Sequence, residues 1–218
     1  MSKMILGIDI GGTNIKVQRS SKEEIIKIPS GVEMTPQKMI FEIRKVTSDW
    51  KCDLVSIGYP GVVKDNQITT EPHNLAKGWV GFDFKKGFGL PVKIVNDAAM
   101  QALGSYEGKR MLFLGLGTGL GSAMVVDGLL LPLELAHLPY RKGLTYEDYI
   151  GKEGLKRFGR KKWREHVAQI VSQLQAAFLL DYTVLGGGNA RLLKELPPQT
   201  RLGDNSNAFR GAYRLWEK

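Results

Sequence analysis

Three clusters of glycine constrain what this chain can fold into: Gly11-Gly12-Thr13, then Gly115, Gly117, Gly119 and Gly121, then Gly186-Gly187-Gly188. Each follows directly on an apolar, strand-like run. Glycine behind a strand lets backbone N–H groups turn inward and approach an anion closely, which makes a phosphate nest. Thr13 and Thr118 add hydroxyl donors to the first two clusters. A single cluster is explained as well by a tight turn, but three clusters behind three strands favour phosphate. Their spacing excludes the common nucleotide loops. No cluster completes G-x-G-x-x-G, because Ser122 and Arg191 stand where the third glycine would be. G-x-x-x-x-G-K-[ST] is also missing, since Gly108-Lys109 leads to Arg110 and Gly151-Lys152 to Glu153.

The first two clusters share their surroundings. LGIDIGGTNIKV and FLGLGTGLGSAMV both read as strand, glycine turn, strand, two copies of one device. Around the first copy the pattern predicts strands over Met4–Asp9, Asn14–Gln18 and Glu24–Ile28, then a helix from Thr35-Pro36 to about Ser48. A short strand (Leu54–Gly58), a hairpin around Asp65-Asn66, a strand (Val92–Val95) and a helix (Asp97–Tyr106) follow. The second half repeats the theme with strands Met111–Leu116, Ser122–Val126 and Leu129–Leu131. Helices over about Tyr146–Arg157 and Lys161–Leu180, a strand at Tyr182–Leu185 and a further helix after the third cluster complete it. No linker or low-complexity segment separates the halves, so they are expected to pack across a cleft.

The 218 residues suit one large domain or two small lobes. Lysine and arginine number 31 against 22 acidic residues, a formal charge of +9. That excess has two readings, a polyanionic partner or simply a high isoelectric point, and only Lys156–Arg164 (KRFGRKKWR) is a dense basic run. The lone Cys52 excludes an intramolecular disulfide and any zinc cage with two or more cysteines, which suits a reducing cytosol. The opening residues are too short an apolar stretch for a signal peptide. The longest apolar run, Leu129–Ala136, is interrupted by Pro132 and Glu134 and falls far below the ~20 residues of a membrane span. A cytoplasmic protein with no membrane partner is expected.

Asp9 ends the first strand just before the glycines. A carboxylate beside a phosphate nest repels the ligand unless a cation lies between them, so Mg²⁺ is implied. The second copy has Gly115 at that place, which points to one metal carboxylate rather than two. Asn96-Asp97 ends a strand and opens a helix, the address at which α/β sheets gather ligands. Both residue types are also favoured helix caps, and the two roles can be divided, Asn96 capping while Asp97 reaches the cleft. Glu134 and His137 follow an apolar strand and a proline. With a carboxamide such as Asn74 they suit a hydroxyl-rich ligand, because each sugar hydroxyl both donates and accepts.

These motifs resemble a known family. LGIDIGGTNIKV looks like the first phosphate motif of the actin/hexokinase-type (ASKHA) sugar kinases, LGLGTGLGSA like their second, and VLGGGNA like their adenosine motif. VNDAAMQALG is similar to the segment that carries the catalytic aspartate in the ROK subfamily. PGVV, NLAKGW (Asn74 to Trp79) and ELAH most resemble the polyphosphate glucokinases within it.

The resemblance implies an α/β, two-lobed, actin-like ATPase/ribonuclease H-like (ASKHA) fold with a central cleft. Residues 1–105 with a C-terminal helix over 206–218 would form one lobe, and 106–205 the other. It implies Asp97 as general base on the 6-hydroxyl of glucose or another hexose, with Asn74, Asn96, Glu134, His137 and Glu147 holding the sugar. Gly11, Gly12, Thr13, Lys16, Gly117, Thr118, Gly119 and Gly121 would bind phosphate, and Gly186, Gly187, Gly188 and Asn189 the nucleotide. Asp9 would serve Mg²⁺, the donor would be polyphosphate, ATP or both, and a homodimer is the family default. Two departures stand out: ELAH has Ala136 where the family usually has glycine, and the C-x-C-G-x-x-G-C zinc segment is absent, so no zinc is expected. A sugar-responsive repressor would need a helix-turn-helix ahead of the first strand, for which Met4 leaves no room. A nucleic-acid module built on the basic run would leave Asp97 and Glu134 unexplained. An ATP-dependent kinase for another hexose, such as mannose, fructose or an amino sugar, stays open.

Overall fold

The computed structural model describes residues 3–204 and 206–217. The chain divides into two compact units, Met1–Met100 with Ala208–Lys218, and Gln101–Asn207.

In the first unit β1 (Ile5–Ile10), β2 (Asn14–Arg19) and β3 (Ile26–Pro29) form an antiparallel meander. Helix α1 (Pro36–Val46) starts where the sequence dictates: Thr35 Oγ1 accepts from the Lys38 amide, and Pro36 takes the first helical position, where no N–H is needed. Its Met39, Ile40 and Ile43 face the core. β4 (Leu54–Tyr59) then pairs parallel with β1. β5 (Val63–Lys64) and β6 (Gln67–Ile68) form a hairpin whose turn residues Asp65 and Asn66 both have positive φ, as a two-residue turn of this hand requires. Asn66 pins that hairpin to the sheet, its Nδ2 donating to Val92 O and its Oδ1 accepting from Ile94 N. The short α2 (Phe84–Phe88) leads to β7 (Val92–Asn96), parallel to β4, and α3 (Asp97–Ser105) follows without a break. The boundary between the units falls inside α3.

The second unit opens with β8 (Arg110–Leu116), β9 (Leu120–Val126) and β10 (Leu129–Leu133), again an antiparallel meander. The small hairpin β11 (Pro139–Arg141) and β12 (Leu144–Thr145) precedes α4 (Tyr146–Ile150) and the long α5 (Lys152–Phe178). Gly159, at φ 69° and ψ 166°, breaks α5 between the two helices expected from the pattern. β13 (Tyr182–Gly186) pairs parallel with β8, and β14 (Thr200–Leu202) pairs parallel with β13. The helix expected after the third glycine cluster is a single 3-10 turn, Ala190–Leu192. Leu193 is already extended, at φ −71° and ψ 131°, and ends the turn there. The last helix, α6 (Asn207–Arg214), lies mostly in the first unit.

The two sheets have one design. Their orders are β3-β2-β1-β4-β7 and β10-β9-β8-β13-β14, with the same antiparallel and parallel pairings in the same places. The two strand–glycine–strand segments are therefore equivalent parts of a repeated sheet. Central strands such as β4 and β8 are buried along nearly their whole length, as expected of strands covered on both faces. On one face of the first sheet Gly7 admits α6, because a Cβ there would lie 3.0 Å from Phe209 Cδ1 and 3.2 Å from Ala212 Cβ. In the second unit Trp163, Val167, Ile170 and Leu174 of α5 recur at helical spacing and pack with Leu112, Leu114 and Leu116 of β8. Among the described residues no helix is long and apolar enough to cross a membrane.

Candidate active site

In the first unit the parallel strands β1, β4 and β7 end together. Asp9 pairs in register with Gly58, and Gly58 with Val95, so the three sit on one rung. Strands are about 4.8 Å apart, which puts the Asp9 backbone roughly 10 Å from that of Val95, two residues before Asp97. Gly58 is small for a reason: a Cβ there would run into Met100 and lie 3.5 Å from Asp97 Cα, so glycine lets the start of α3 settle against the strand. Asn96 Oδ1 accepts from the Ala98 and Ala99 amides at 2.9 and 3.4 Å, while its Nδ2 donates to Gly61 O at 3.1 Å. Asn96 is thus the helix cap. Asp97 occupies the first helical position, with Oδ1 accepting from Ala98 N at 2.7 Å.

The turn Gly11-Gly12-Thr13 closes over β1 and β2, with Gly11 N donating to Asn14 O at 3.1 Å. Ser30 steadies it from β3's end, its hydroxyl donating to Gly11 O at 2.6 Å and its amide to Thr13 O at 2.9 Å. Asn74 lies directly against this turn, since a Cβ on Gly12 would stand 2.9 Å from Asn74 Cβ. One rung below, Asp9 Oδ2 is ion-paired at 3.0 Å with Lys16 Nζ, its cross-strand partner. The equivalent pair in the second sheet is Gly115 and Gly121.

In the second unit the corresponding turn is Gly117-Thr118-Gly119, closed by Gly117 N donating to Gly119 O at 3.1 Å. The third cluster meets it. Gly187, at φ 80°, leaves no room for a side chain, because a Cβ would lie 2.5 Å from Leu116 O. Asn189 donates from its backbone to Leu116 O at 2.9 Å and from Nδ2 to Gly117 O at 3.0 Å. The Glu147 carboxylate reaches the other side of the turn, Oε2 accepting from Leu120 N at 2.9 Å over a bare Gly119. Lys152 N, at the start of α5, donates to Thr118 O at 3.1 Å.

Glu134 and His137 are exposed at either end of the 3-10 turn Leu135–His137. Ser122 fixes that turn to β9, its hydroxyl donating to Leu133 O at 2.9 Å and accepting from Leu135 N at 3.1 Å. Helix α4, which carries Glu147, packs against it. The α4 start is a capping box, and the Thr145 amide and hydroxyl hold the Asp148 carboxyl below its ordinary range. Ala136 is buried in the turn and is absent from the positive-φ residues, so its methyl is accommodated without strain.

The sequence profile of the ROK family matches residues 5–132, more than half of the chain. The chain belongs to the ROK family. It is 29% identical over 216 residues to the polyphosphate glucokinase of Mycobacterium tuberculosis (strain ATCC 25618 / H37Rv), covering 85% of this chain and 77% of that protein. It is 33% identical over 142 residues to the N-acetyl-D-glucosamine kinase of Photobacterium profundum, covering 57% of this chain and 47% of that one. The solved inorganic polyphosphate/ATP-glucomannokinase of Arthrobacter sp. strain KM has a TM-score of 0.80 at 24% identity, covering 97% of each chain. The fold is the two-lobed ASKHA type of the ROK sugar kinases. Such relatives support a sugar kinase.

Against that family background, the structure brings Asn74 to the first glycine turn and Glu147 and Asn189 to the second. Asn96 has both side-chain ends engaged locally, so the one hydrogen it can offer a ligand is the second on Nδ2. Among the described residues no group of three or more His, Cys, Asp or Glu side chains converges on a metal position. Mg²⁺ usually takes one or two carboxylates and completes its shell with waters and substrate phosphates, and Asp9, ion-paired with Lys16 beside the first glycine turn, is one carboxylate of that kind. Sequence reasoning missed Ser30 and Ser122, which steady the first glycine turn and the Leu135–His137 turn, and Glu71, which binds the loop that bears Asn74. Ser30 and Ser122 each bond across strands, so no local motif marks them.

Proposed function

We propose that this chain transfers the terminal phosphoryl group of inorganic polyphosphate, with ATP as a further donor, to the 6-hydroxyl of glucose. The observation that carries this reading is the shared edge of the first sheet, where Asp9, the Gly11–Thr13 turn with Asn74, and Asp97 all stand at the C-terminal ends of β1 and β7. Ligands of α/β sheets gather at such ends.

In the reaction the hydroxyl proton passes to the Asp97 carboxylate as the sugar oxygen bonds to phosphorus. The bond from phosphorus to the bridging oxygen breaks, leaving polyphosphate one unit shorter, or ADP. Phosphoryl transfer asks mainly for positioning and charge stabilisation. Asn74, the second Nδ2 hydrogen of Asn96, Glu134, His137 and the remaining carboxylate oxygen of Glu147 would hold the sugar hydroxyls. The amides and threonines of the turns at Gly11–Thr13 and Gly117–Gly119, with Lys16, would hold donor phosphates, while Asn189 shapes the second turn from the nucleotide side. Bound Mg²⁺ would neutralise donor charge, and Asp9 is the residue to hold it, directly or through water.

Polyphosphate is favoured as donor by the Mycobacterium relative and by charge. Lys156, Arg157, Arg160, Lys161 and Lys162 are exposed on α5, whose first amide is bonded to Thr118. A chain anion with charge on every unit gains more from such a surface than a compact nucleotide does. The Photobacterium relative makes an N-acetylhexosamine the competing acceptor. The test is a matrix of donors (polyphosphate, ATP) against sugars (glucose, mannose, fructose, N-acetylglucosamine, N-acetylmannosamine), scored by sugar phosphate formed. Glucose with polyphosphate should show the highest kcat/KM; a higher value with ATP overturns the donor, and a higher value with another sugar overturns the acceptor.

A further inference from the structure

The loop 71–80 carries Asn74, yet of its residues Asn74, His73 and Lys77 are exposed and the segment belongs to no helix or strand. What gives it shape is one carboxylate. Glu71 accepts from three successive backbone amides: Gly78 N at 3.1 Å to each of Oε1 and Oε2, Trp79 N at 3.1 Å to Oε2, and Val80 N at 3.3 Å to Oε1. The side chain at the start of the loop thereby ties off its end and closes 72–77 into a ring. Below the tie, Trp79 is fully buried between Tyr59 and Phe84, with ring centroids 5.6 and 6.2 Å away. Tyr59 OH donates to Thr70 O at 2.8 Å, and Ala76 N to Met34 O at 3.2 Å. The ring is therefore anchored at its base, and Asn74 is held at its top against Gly12. Burial raises the Glu71 carboxyl, but the amides of Trp79, Gly78 and Val80, with Lys77 nearby, together hold it below the ordinary range, so it is a charged acceptor at neutral pH.

We infer that Glu71 is a positioning residue for the sugar: its carboxylate sets the Asn74 loop, and through Asn74 the affinity for the acceptor. This rests on the reading of Asn74 as a sugar ligand. Asn74 binds the hydroxyl equally before and during transfer, so misplacing it raises KM and leaves kcat.

The test is steady-state kinetics of Glu71→Gln, Asn74→Ala and the double variant, with sugar and donor varied separately. Glu71→Gln keeps one acceptor oxygen but turns an NH₂ group towards N–H donors. Its sugar KM should rise ~10-fold, the loss of about one hydrogen-bond partner, with kcat and donor KM within about twofold. In the Asn74→Ala background the same change should add less than about twofold, since coupled residues are not additive. Gly78→Ala disturbs the tie without touching Glu71, because Gly78 sits at φ 98°, and should give the same selective rise in sugar KM. Should Glu71→Gln not fold, Gly78→Ala decides alone. An unchanged sugar KM in Glu71→Gln or Gly78→Ala, while Asn74→Ala raises it, overturns the role of Glu71. Full additivity in the double variant does the same. An unchanged sugar KM in Asn74→Ala overturns the sugar reading of Asn74 and this inference with it.

Discussion

Asp97→Asn separates catalysis from architecture at a single atom. The cap of α3 belongs to Asn96, whose Oδ1 takes the Ala98 and Ala99 amides, so an amide at position 97 leaves that cap intact. The asparagine carbonyl oxygen can also keep the 2.7 Å contact from Ala98 N. One loss to the fold is a negative charge in the first helical turn, worth about 0.3–1 kcal/mol. For a chain of this size 1 kcal/mol lowers Tm by roughly 2–4 °C. What the chemistry loses is the proton acceptor, typically ~10²–10⁴-fold in rate, or about 2.7–5.4 kcal/mol of barrier. The two effects differ enough to be read apart. Purified Asp97→Asn should melt within about 4 °C of the parent, keep its sugar KM, and show kcat reduced by ~10²-fold or more with glucose and saturating polyphosphate. A companion, Asn96→Ala, removes the cap and should cost about 0.5–2 kcal/mol of stability. A folded Asp97→Asn that retains more than about a third of parental kcat refutes the general-base assignment. A melting temperature that collapses in Asp97→Asn and not in Asn96→Ala refutes the division of labour between the two.

Three further outcomes are expected. Gly12→Ala forces a methyl to 2.9 Å from Asn74 Cβ, so overpacking should cost about 1–3 kcal/mol and raise the sugar KM; kinetics and a melt of one preparation check both. Glu134→Ala and His137→Ala change exposed side chains, so stability should move by less than about 0.5 kcal/mol while the sugar KM rises by the equivalent of ~1–3 kcal/mol each. The polyphosphate KM should rise steeply between ~0.05 and ~0.5 M salt, because exposed charges are screened beyond about 8 Å at physiological ionic strength, while the ATP KM moves less; equal salt dependence for both donors would remove the basic surface of α5 from the donor path.

Much of the fold was legible because it is written in local signals. The strands around both glycine turns, helix α1 with its Thr35-Pro36 start, and the Asp65-Asn66 hairpin all follow from periodicity, capping and turn chemistry within a few residues. What the pattern missed has no such signal. β14 is three residues long and exists as a strand through its parallel partner β13. The expected helix after Gly188 is one 3-10 turn, which ends where Leu193 becomes extended, ahead of Pro197-Pro198.

The sequence by itself determined that two strand–glycine–strand devices precede acidic and amide groups at strand ends, since glycine, aspartate and a β-branched run act on their immediate neighbours. Only the tertiary structure decided what those groups touch. Asn96 places its oxygen on the Ala98 and Ala99 amides and one Nδ2 hydrogen on Gly61 O, which leaves the second Nδ2 hydrogen for a ligand. Glu147 lands on the Leu120 amide, 27 residues away, and Asn189 on Gly117 O, 72 residues away. Glu71 looks like any loop acid until the chain returns three amides to it. Such contacts depend on where sheets and helices bring distant backbone together, and a hydrogen bond, unlike a turn preference, leaves no trace in the residues beside it.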